Sequence, residues 1–151
     1  MARTFVSASP RTAAVFDAAS AEDAGKLLLR ATLGLLMLLH GIGKIRSGPG
    51  AVAEMLVQHG LPGALAYGAY IGEVLAPALV IAGLWTRPAA LLMAVNMIAA
   101  IALAHGEQIF ALGKEGGWAI ELQGLYLFGA IAIALLGAGG LGVGGARGRW
   151  N

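Results

Sequence analysis

The chain contains no cysteine, and only 12% of its 151 residues are charged. Without cysteine, it cannot form disulfides, thiolate metal ligands or a dithiol redox centre. A soluble domain carries about 25% charged residues, so the low charge content argues against a water-soluble protein. The charged residues also form no basic cluster of the kind that binds nucleic acid, although the formal net charge is +2. These absences leave a protein that needs lipid as its solvent.

Hydrophobic residues make up 58% of the chain and fall into four long apolar stretches. The stretches cover roughly residues 24–42, 64–85, 89–105 and 118–136. Bilayer hydrocarbon is about 30 Å thick and needs about 20 helical residues per span, so each stretch predicts one span. The 24 glycines suit this environment because small residues let membrane helices approach closely. The sequence therefore predicts an all-α fold, an up-down bundle of four transmembrane helices.

Three segments organise the chain around this bundle. Residues 1–23 form a mixed, polar tail without the apolar run of a secretory signal peptide. Residues 24–137 form the membrane domain, and residues 138–151 form a glycine-rich tail. The longest connection holds a helix-like segment at residues 51–59, which is expected to lie at the membrane interface.

Positive charges near the spans predict the orientation, because cytoplasmic loops are enriched in lysine and arginine. Seven such residues lie on the side of the two termini: Arg3, Arg11, Lys26, Arg30, Arg87, Arg147 and Arg149. Three lie on the other side: Lys44, Arg46 and Lys114. The bias predicts that both termini are cytoplasmic.

Ionisable residues within a span are costly to bury, so each is a candidate functional residue. Arg30 lies on the first predicted span and Glu73 on the second. A rise of 1.5 Å per residue places them about 7 Å apart along the membrane normal, within reach of an arginine side chain. We therefore predict a structural ion pair between Arg30 and Glu73. Pro77 lacks an N–H group and is expected to leave the carbonyl of Glu73 without its helical partner.

A second cluster is predicted toward the opposite ends of the spans. His40 ends the first span, His105 ends the third and Glu121 begins the fourth. Since neighbouring spans are antiparallel, these three residues fall at a similar depth. Three polar residues lie deeper and are expected to line the path between the two clusters: Asn96, Gln123 and Tyr126.

Three interpretations of the second cluster are open at this point. In the first, its polar side chains are satisfied by water and by each other at the membrane interface. In the second, His40, His105, Glu121 and Tyr126 bind a quinone head group, which needs donors to its carbonyls and a group that exchanges protons near neutral pH, as histidine does. In the third, His40 and His105 ligate a haem or a metal ion, although no paired-ligand motif supports that.

Several short motifs occur in the order and spacing of a known family. They are Leu29-Arg30, His40-Gly41-Ile42-Gly43-Lys44, Gly60-Leu61-Pro62, Glu73, Gly83-Leu84-Trp85-Thr86-Arg87, His105-Gly106, and Gly116-Gly117-Trp118 followed by Glu121 and Tyr126. Through these motifs the chain resembles the DoxX family over about residues 26–141. The resemblance implies a four-helix protein of the bacterial inner membrane. It also implies a link to quinone chemistry, since the family is named for its similarity to a small subunit of an archaeal quinol oxidase or thiosulfate:quinone oxidoreductase.

Two hypotheses about function follow. The first is a quinone-interacting membrane subunit of a redox complex, whose electron donor is a protein partner because the chain encodes no evident redox centre. The second is a non-catalytic membrane anchor or assembly scaffold for a partner complex. A transporter is a third reading, but four spans enclose only a narrow pore unless the chain forms a homo-oligomer. None of these hypotheses requires the chain itself to be an enzyme.

Overall fold

The computed structural model of the chain describes residues 10–145, 148 and 150–151, with side chains described from residue 20 onward. Five helices account for most of this length: α1 (Pro10–Ser47), α2 (Gly50–Gln58), α3 (Gly63–Ala82), α4 (Thr86–Ala104) and α5 (Glu121–Leu136). The described residues contain no strand, only an isolated bridge between Leu112 and Trp118 in the loop before α5. The predicted all-α fold is confirmed, and the helix predicted in the first connection is present as α2.

Three of the five helices contain segments with the length and composition of membrane spans. Three segments are long and apolar enough to cross a bilayer: Ser20–Ser47, Gly63–Ala82 and Thr86–Ala104. Helix α5 is equally apolar but shorter, with 16 residues. Large hydrophobic side chains are exposed along these helices, among them Leu35, Leu91 and Leu125. Such a surface fits a helical membrane bundle whose outer face contacts lipid.

The four long helices form an antiparallel ring. Gly34 of α1 lies against Ile81 of α3, while Gly41, further along α1, lies against Glu73. The two helices are therefore antiparallel. Helices α3 and α4 are in contact at Gly72 and Asn96. Helices α4 and α5 are joined at one end by His105 and Gln123 and at the other by Arg87 and Ala134. Helices α1 and α5 are in contact through Leu33 with Gly129 and His40 with Tyr126.

Helix α3 is irregular where it carries Glu73. It begins with a 3₁₀ turn (Gly63–Tyr67), and a π turn (Ile71–Leu75) precedes its regular C-terminal part (Ala76–Ala82). Pro77 accounts for the π turn, because it lacks the N–H that would bond to the carbonyl of Glu73. Single π turns inside α-helices occur frequently at functional sites. The irregularity predicted from Pro77 therefore falls at the buried carboxylate.

Two glycines let the π turn pack tightly between α1 and α4. A Cβ atom on Gly41 would lie 2.6 Å from Val74 Cγ2 and 2.7 Å from the carbonyl carbon of Glu73. A Cβ atom on Gly72 would lie 2.5 Å from Cγ of Asn96. Because both positions lack side chains, the three helices approach closely and fix the depth of Glu73 in the bundle.

The C-terminal segment folds back over the turn between α3 and α4. The backbone N–H of Val143 donates to the carbonyl of Ala82, and that of Gly144 donates to the carbonyl of Gly83, both at 3.0 Å. Further along, the Oδ1 atom of Asn151 accepts a hydrogen bond from the backbone of Thr86 at 3.3 Å. The part of the 138–151 tail that the structure describes is thus packed against the bundle.

The helix bounds differ from the predicted spans at three places. Helix α1 runs without a break from Pro10 into the predicted membrane domain, so residues 10–23 of the predicted tail are helical. Residues 1–9 lie outside the described part. Helix α1 also extends to Ser47 instead of ending near residue 42. Helix α5 begins at Glu121 rather than at residue 118, because Trp118 belongs to the preceding loop, where its Nε1–H donates to the carbonyl of Ile109 at 2.6 Å.

Candidate functional site

A cavity of about 140 Å³ lies inside the ring, at the end remote from the C-terminal segment. All four long helices contribute to it. Its polar lining consists of His40, Lys44, Glu73, His105, Gln123 and Tyr126. Apolar side chains complete the wall, among them Met37 and Met97. Six of the lining residues are polar, but the surface that the cavity exposes is mostly apolar.

Glu73 is the most deeply buried ionisable group of the cavity, with 3% of its surface exposed. Its Oε1 atom accepts hydrogen bonds from Lys44 Nζ and, at 3.0 Å, from Asn96 Nδ2. Its Oε2 atom is buried and has no hydrogen-bond partner among the described residues. One oxygen of the carboxylate is therefore saturated with donors, while the other is an unused acceptor.

The predicted ion pair between Arg30 and Glu73 is wrong, because Glu73 pairs with Lys44 instead. Arg30, which is 1% exposed, donates to the backbone carbonyls of Val80, Ile81 and Leu141. Glu73 lies level with Gly41 of α1. Gly41 follows Arg30 by eleven residues, which is about 16 Å along the helix at 1.5 Å per residue. The depth estimate failed because α1 continues beyond residue 42 and α3 is shifted along it accordingly.

The hydrogen bond of His40 defines the tautomer of its neutral ring. Its Nδ1 atom lies 2.9 Å from the carbonyl of Leu36, so Nδ1 carries the proton in the neutral ring and Nε2 is an acceptor. The ring stands edge-on to Tyr126, with centroids 5.6 Å apart. The hydroxyl of Tyr126 forms no hydrogen bond with the residues that the structure describes, so it is available to a ligand.

His105 is held by hydrogen bonds at both ring nitrogens. Nδ1 lies 3.2 Å from Oε1 of Gln108, and Nε2 lies 3.0 Å from Nε2 of Gln123. In the neutral ring, Nδ1–H donates to Gln108 and Nε2 accepts from Gln123. This arrangement leaves Oε1 of Gln123 as a further acceptor beside the cavity.

The structure brings together three of the four predicted head-group residues: His40, His105 and Tyr126. Glu121 is not among the residues that line the cavity. It is exposed on the first turn of α5, and its carboxylate lies beside Gly117 of the preceding loop. Glu121 was predicted at a similar depth to His40 and His105, but it does not lie beside them, because its side chain is directed to the loop before α5.

Sequence reasoning missed the role of Lys44. From the sequence, Lys44 counts only as one of the positive charges on the side opposite the termini. Its spacing from Arg30 and Met37 was nevertheless informative, since residues seven apart lie on one helix face. Met37 and Arg30 are buried, so the same stripe carries Lys44 to Glu73. Among the described residues, no group of three or more histidine, aspartate or glutamate side chains is placed to hold a metal ion.

Comparison with known proteins gives one result. A family model described as DoxX matches residues 25–106. No curated protein and no solved structure matches the chain. The matched residues include His40, Lys44, Glu73 and His105, whereas Gln123 and Tyr126 on α5 lie beyond them. Four of the six polar lining residues therefore lie in the part of the chain that the family model matches.

Proposed function

The chain belongs to the DoxX family, and on this premise we propose that it is a quinone-interacting membrane subunit of a redox complex. The cavity between α1, α3, α4 and α5 is the proposed site for the quinone head group. The observation that carries the proposal is the buried Oε2 atom of Glu73, which lacks a partner inside a mostly apolar cavity. Buried polar atoms in native proteins are nearly always hydrogen-bonded, to protein or to ordered water, so this oxygen is an acceptor that a polar ligand entering the cavity could use.

The size of the cavity supports a single ring as its occupant. Its volume of about 140 Å³ compares with about 150 Å³ for an engineered cavity that holds benzene. A quinone head group is a substituted six-membered ring, and its isoprenoid chain would extend into the bilayer. The volume is too small for a haem, and both ring nitrogens of His105 are already hydrogen-bonded.

The polar groups also fit a quinone or quinol. Tyr126 supplies a hydroxyl donor, and Lys44 supplies an ammonium group. His40 Nε2 and Glu73 Oε2 are acceptors. When bound, a quinone supplies the capacity to take up two electrons and two protons. In this proposal the side chains of His40 and Glu73 exchange the protons, and a protein partner supplies the electrons.

We also propose that the bundle crosses the bacterial inner membrane four times, with both termini in the cytoplasm. Because the chain has no cysteine, single cysteines can report its orientation. A cysteine replacing Lys114 in the loop before α5 is expected to react with a membrane-impermeant maleimide in intact cells. A cysteine replacing Leu141, which is exposed in the C-terminal segment, is expected to react only after the cells are opened. The reverse pattern would overturn the orientation.

The quinone proposal is tested by native mass spectrometry of the full chain extracted in lipid nanodiscs. A retained quinone mass is expected for the parent protein and is expected to disappear in the variant His40→Ala. The matched control is His59→Ala, because His59 also has Nδ1 against the carbonyl four residues earlier, that of Met55 at 2.8 Å, but lies outside this cavity. Thermal unfolding in the same nanodiscs is expected to be similar for both variants.

Two outcomes would contradict the quinone proposal. If the parent and His40→Ala retained equal amounts of quinone, the cavity would not be the quinone site. A parent chain that carries no quinone, but retains another polypeptide, would favour the second hypothesis of a membrane anchor or assembly scaffold. Exposed apolar residues on the folded C-terminal segment, Leu141 and Val143, would then be the first surface to examine for that partner.

A further inference from the structure

His105 lies in the wall between two cavities. Of the described residues, it alone lines both the cavity that contains Glu73, here the inner cavity, and a second cavity of about 310 Å³, the outer cavity. The outer cavity is bounded by the end of α4, by the loop that follows it and by His59, and its surface is mostly polar. Glu107 and Gln108 of that loop are exposed, which places the outer cavity in the aqueous phase when α4 spans a bilayer.

The two ring nitrogens of His105 are directed to different cavities. Nδ1 lies 3.2 Å from Oε1 of Gln108, which lines the outer cavity. Nε2 lies 3.0 Å from Nε2 of Gln123, which lines the inner cavity. Imidazole titrates near neutral pH and can bind a proton at one nitrogen while the other nitrogen releases one. Held in this way, the ring can carry a proton across the wall without opening it.

The inner cavity contains an end point for such a proton. Its volume of about 140 Å³ has room for several water molecules, at about 30 Å³ each. The buried Oε2 atom of Glu73 is an acceptor without a partner among the described residues, while Lys44 pairs with the other oxygen. Water in the cavity would link Nε2 of His105 to Oε2, which can take up a proton.

We propose that His105 transfers protons between the aqueous phase in the outer cavity and the carboxylate of Glu73. In the outward direction, the carboxyl group of Glu73 releases its proton through cavity water to Nε2 of His105, and Gln123 turns its amide so that Oε1 accepts from the new N–H. The imidazolium then loses its Nδ1 proton to water in the outer cavity. One proton has moved and no electron has, and rotation of the neutral ring, so that its N–H faces the outer cavity again, restores the starting state. The reverse steps carry a proton inward. The transfer does not require a quinone, because only water and these side chains take part.

The neighbouring titratable groups do not connect the two cavities. Each lines one cavity only: His59 and Glu107 the outer, and His40, Lys44, Glu73 and Tyr126 the inner. His40 is exposed, so entry of water beside it is the competing route. Its Nδ1–H, however, is bound to the carbonyl of Leu36 in its own helix, so its ring does not present one nitrogen to each cavity as His105 does.

The test follows the protonation of Glu73 in the full chain in lipid nanodiscs. A caged acid releases protons in a flash of light, and time-resolved infrared spectroscopy records the rise of the carboxyl band of Glu73, identified by its loss in Glu73→Gln. In His105→Gln this rise is expected to be about 100-fold slower, the lower end of what a positioned proton-transfer group contributes, because an amide forms hydrogen bonds but does not titrate. His105→Phe keeps a ring in the wall without nitrogens and is expected to slow the rise to a similar degree.

Two further variants separate proton transfer from a structural role. His105→Ala is expected to protonate Glu73 at least as fast as the parent, because removal of the ring joins the two cavities and admits water directly. His59→Ala is the control, since it changes the outer cavity alone, and it is expected to leave the rate unchanged.

Three outcomes would overturn the proposal. An unchanged rate in both His105→Gln and His105→Phe would show that protons enter beside His40. A rate in His105→Ala as slow as that in His105→Gln would assign a structural role to the histidine. If the parent showed no carboxyl band of Glu73 over the pH range in which it stays folded, Glu73 would not be the end point. Quinone retention by the parent tests the proposed function separately from all three.

Discussion

Replacing Gly41 with alanine is expected to cost about 3 kcal/mol or more of stability, at the upper end of the range for overpacked cores. The added Cβ would lie 2.6 Å from Val74 Cγ2 and 2.7 Å from the carbonyl carbon of Glu73. The closest approach of all would be to the carbonyl oxygen of Glu73, which is a backbone atom, so no side-chain rotation can relieve the overlap. Either α1 moves away from α3 or the π turn is displaced. Thermal unfolding and the yield of folded protein in nanodiscs measure the loss.

Gly43 provides the matched control on the same helix. A Cβ atom there would have no neighbour within 4 Å. Alanine at this position is expected to be neutral or slightly stabilising, because glycine in a helix is less stable than alanine by roughly 0.5–1 kcal/mol. If Gly41→Ala unfolded at the same temperature as Gly43→Ala, the close approach of α1 to the π turn would be refuted.

Replacing Arg30 with methionine is expected to destabilise the protein by roughly 2–5 kcal/mol. Methionine fills part of the volume but cannot donate, so the carbonyls of Ile81 and Leu141 lose the guanidinium that they share. Each buried acceptor left without a donor costs about 1–3 kcal/mol, and these two, which are partly buried, are expected toward the lower end of that range. The carbonyl of Val80 also accepts from the N–H of Gly83 at 3.1 Å and is less affected.

The loss at Arg30 is expected to release the C-terminal segment first. Hydrogen exchange is expected to accelerate at the amides of Val143 and Gly144, which bond to the end of α3. The control is Lys26→Met, one turn earlier on α1. The lysine pairs with the exposed Glu22, and such pairs contribute about 0–1 kcal/mol. Its aliphatic stem lies against Gly139, and methionine retains that contact. Unchanged exchange in Arg30→Met would show that the guanidinium does not hold this segment.

The helical fold was predictable because its signals are local. Long apolar stretches, turn residues such as Gly83 and the position of Pro77 are read directly from the sequence. The stripe through Arg30, Met37 and Lys44 on α1 was also predictable from the helical repeat. The folded C-terminal segment was not, because its hydrogen bonds join residues such as Val143 and Ala82 that are far apart in the chain.

The site was predictable only in part, because it depends on the axial alignment of two helices. His40 and His105, predicted at a similar depth, reach one cavity together with Tyr126, which was predicted to lie deeper. The partner of Glu73 was assigned wrongly, since extending α1 to Ser47 shifts the level at which α3 meets it. Glu121 was placed wrongly because the fourth span was predicted to begin at residue 118. Trp118 belongs to the loop, so Glu121 is the first residue of α5.

In the proposed four-span arrangement, hydrophobic mismatch would be unevenly distributed around the bundle. The 16 residues of α5 rise about 24 Å, less than the roughly 30 Å of bilayer hydrocarbon. The loop that precedes α5 carries exposed apolar side chains, including Phe110, which is 98% exposed, and Leu112. These side chains extend the apolar belt beyond the first turn of α5. On this side of the protein, α5 and the preceding loop would together match the thickness of the bilayer hydrocarbon. Local thinning of the lipid would accommodate any difference that is left.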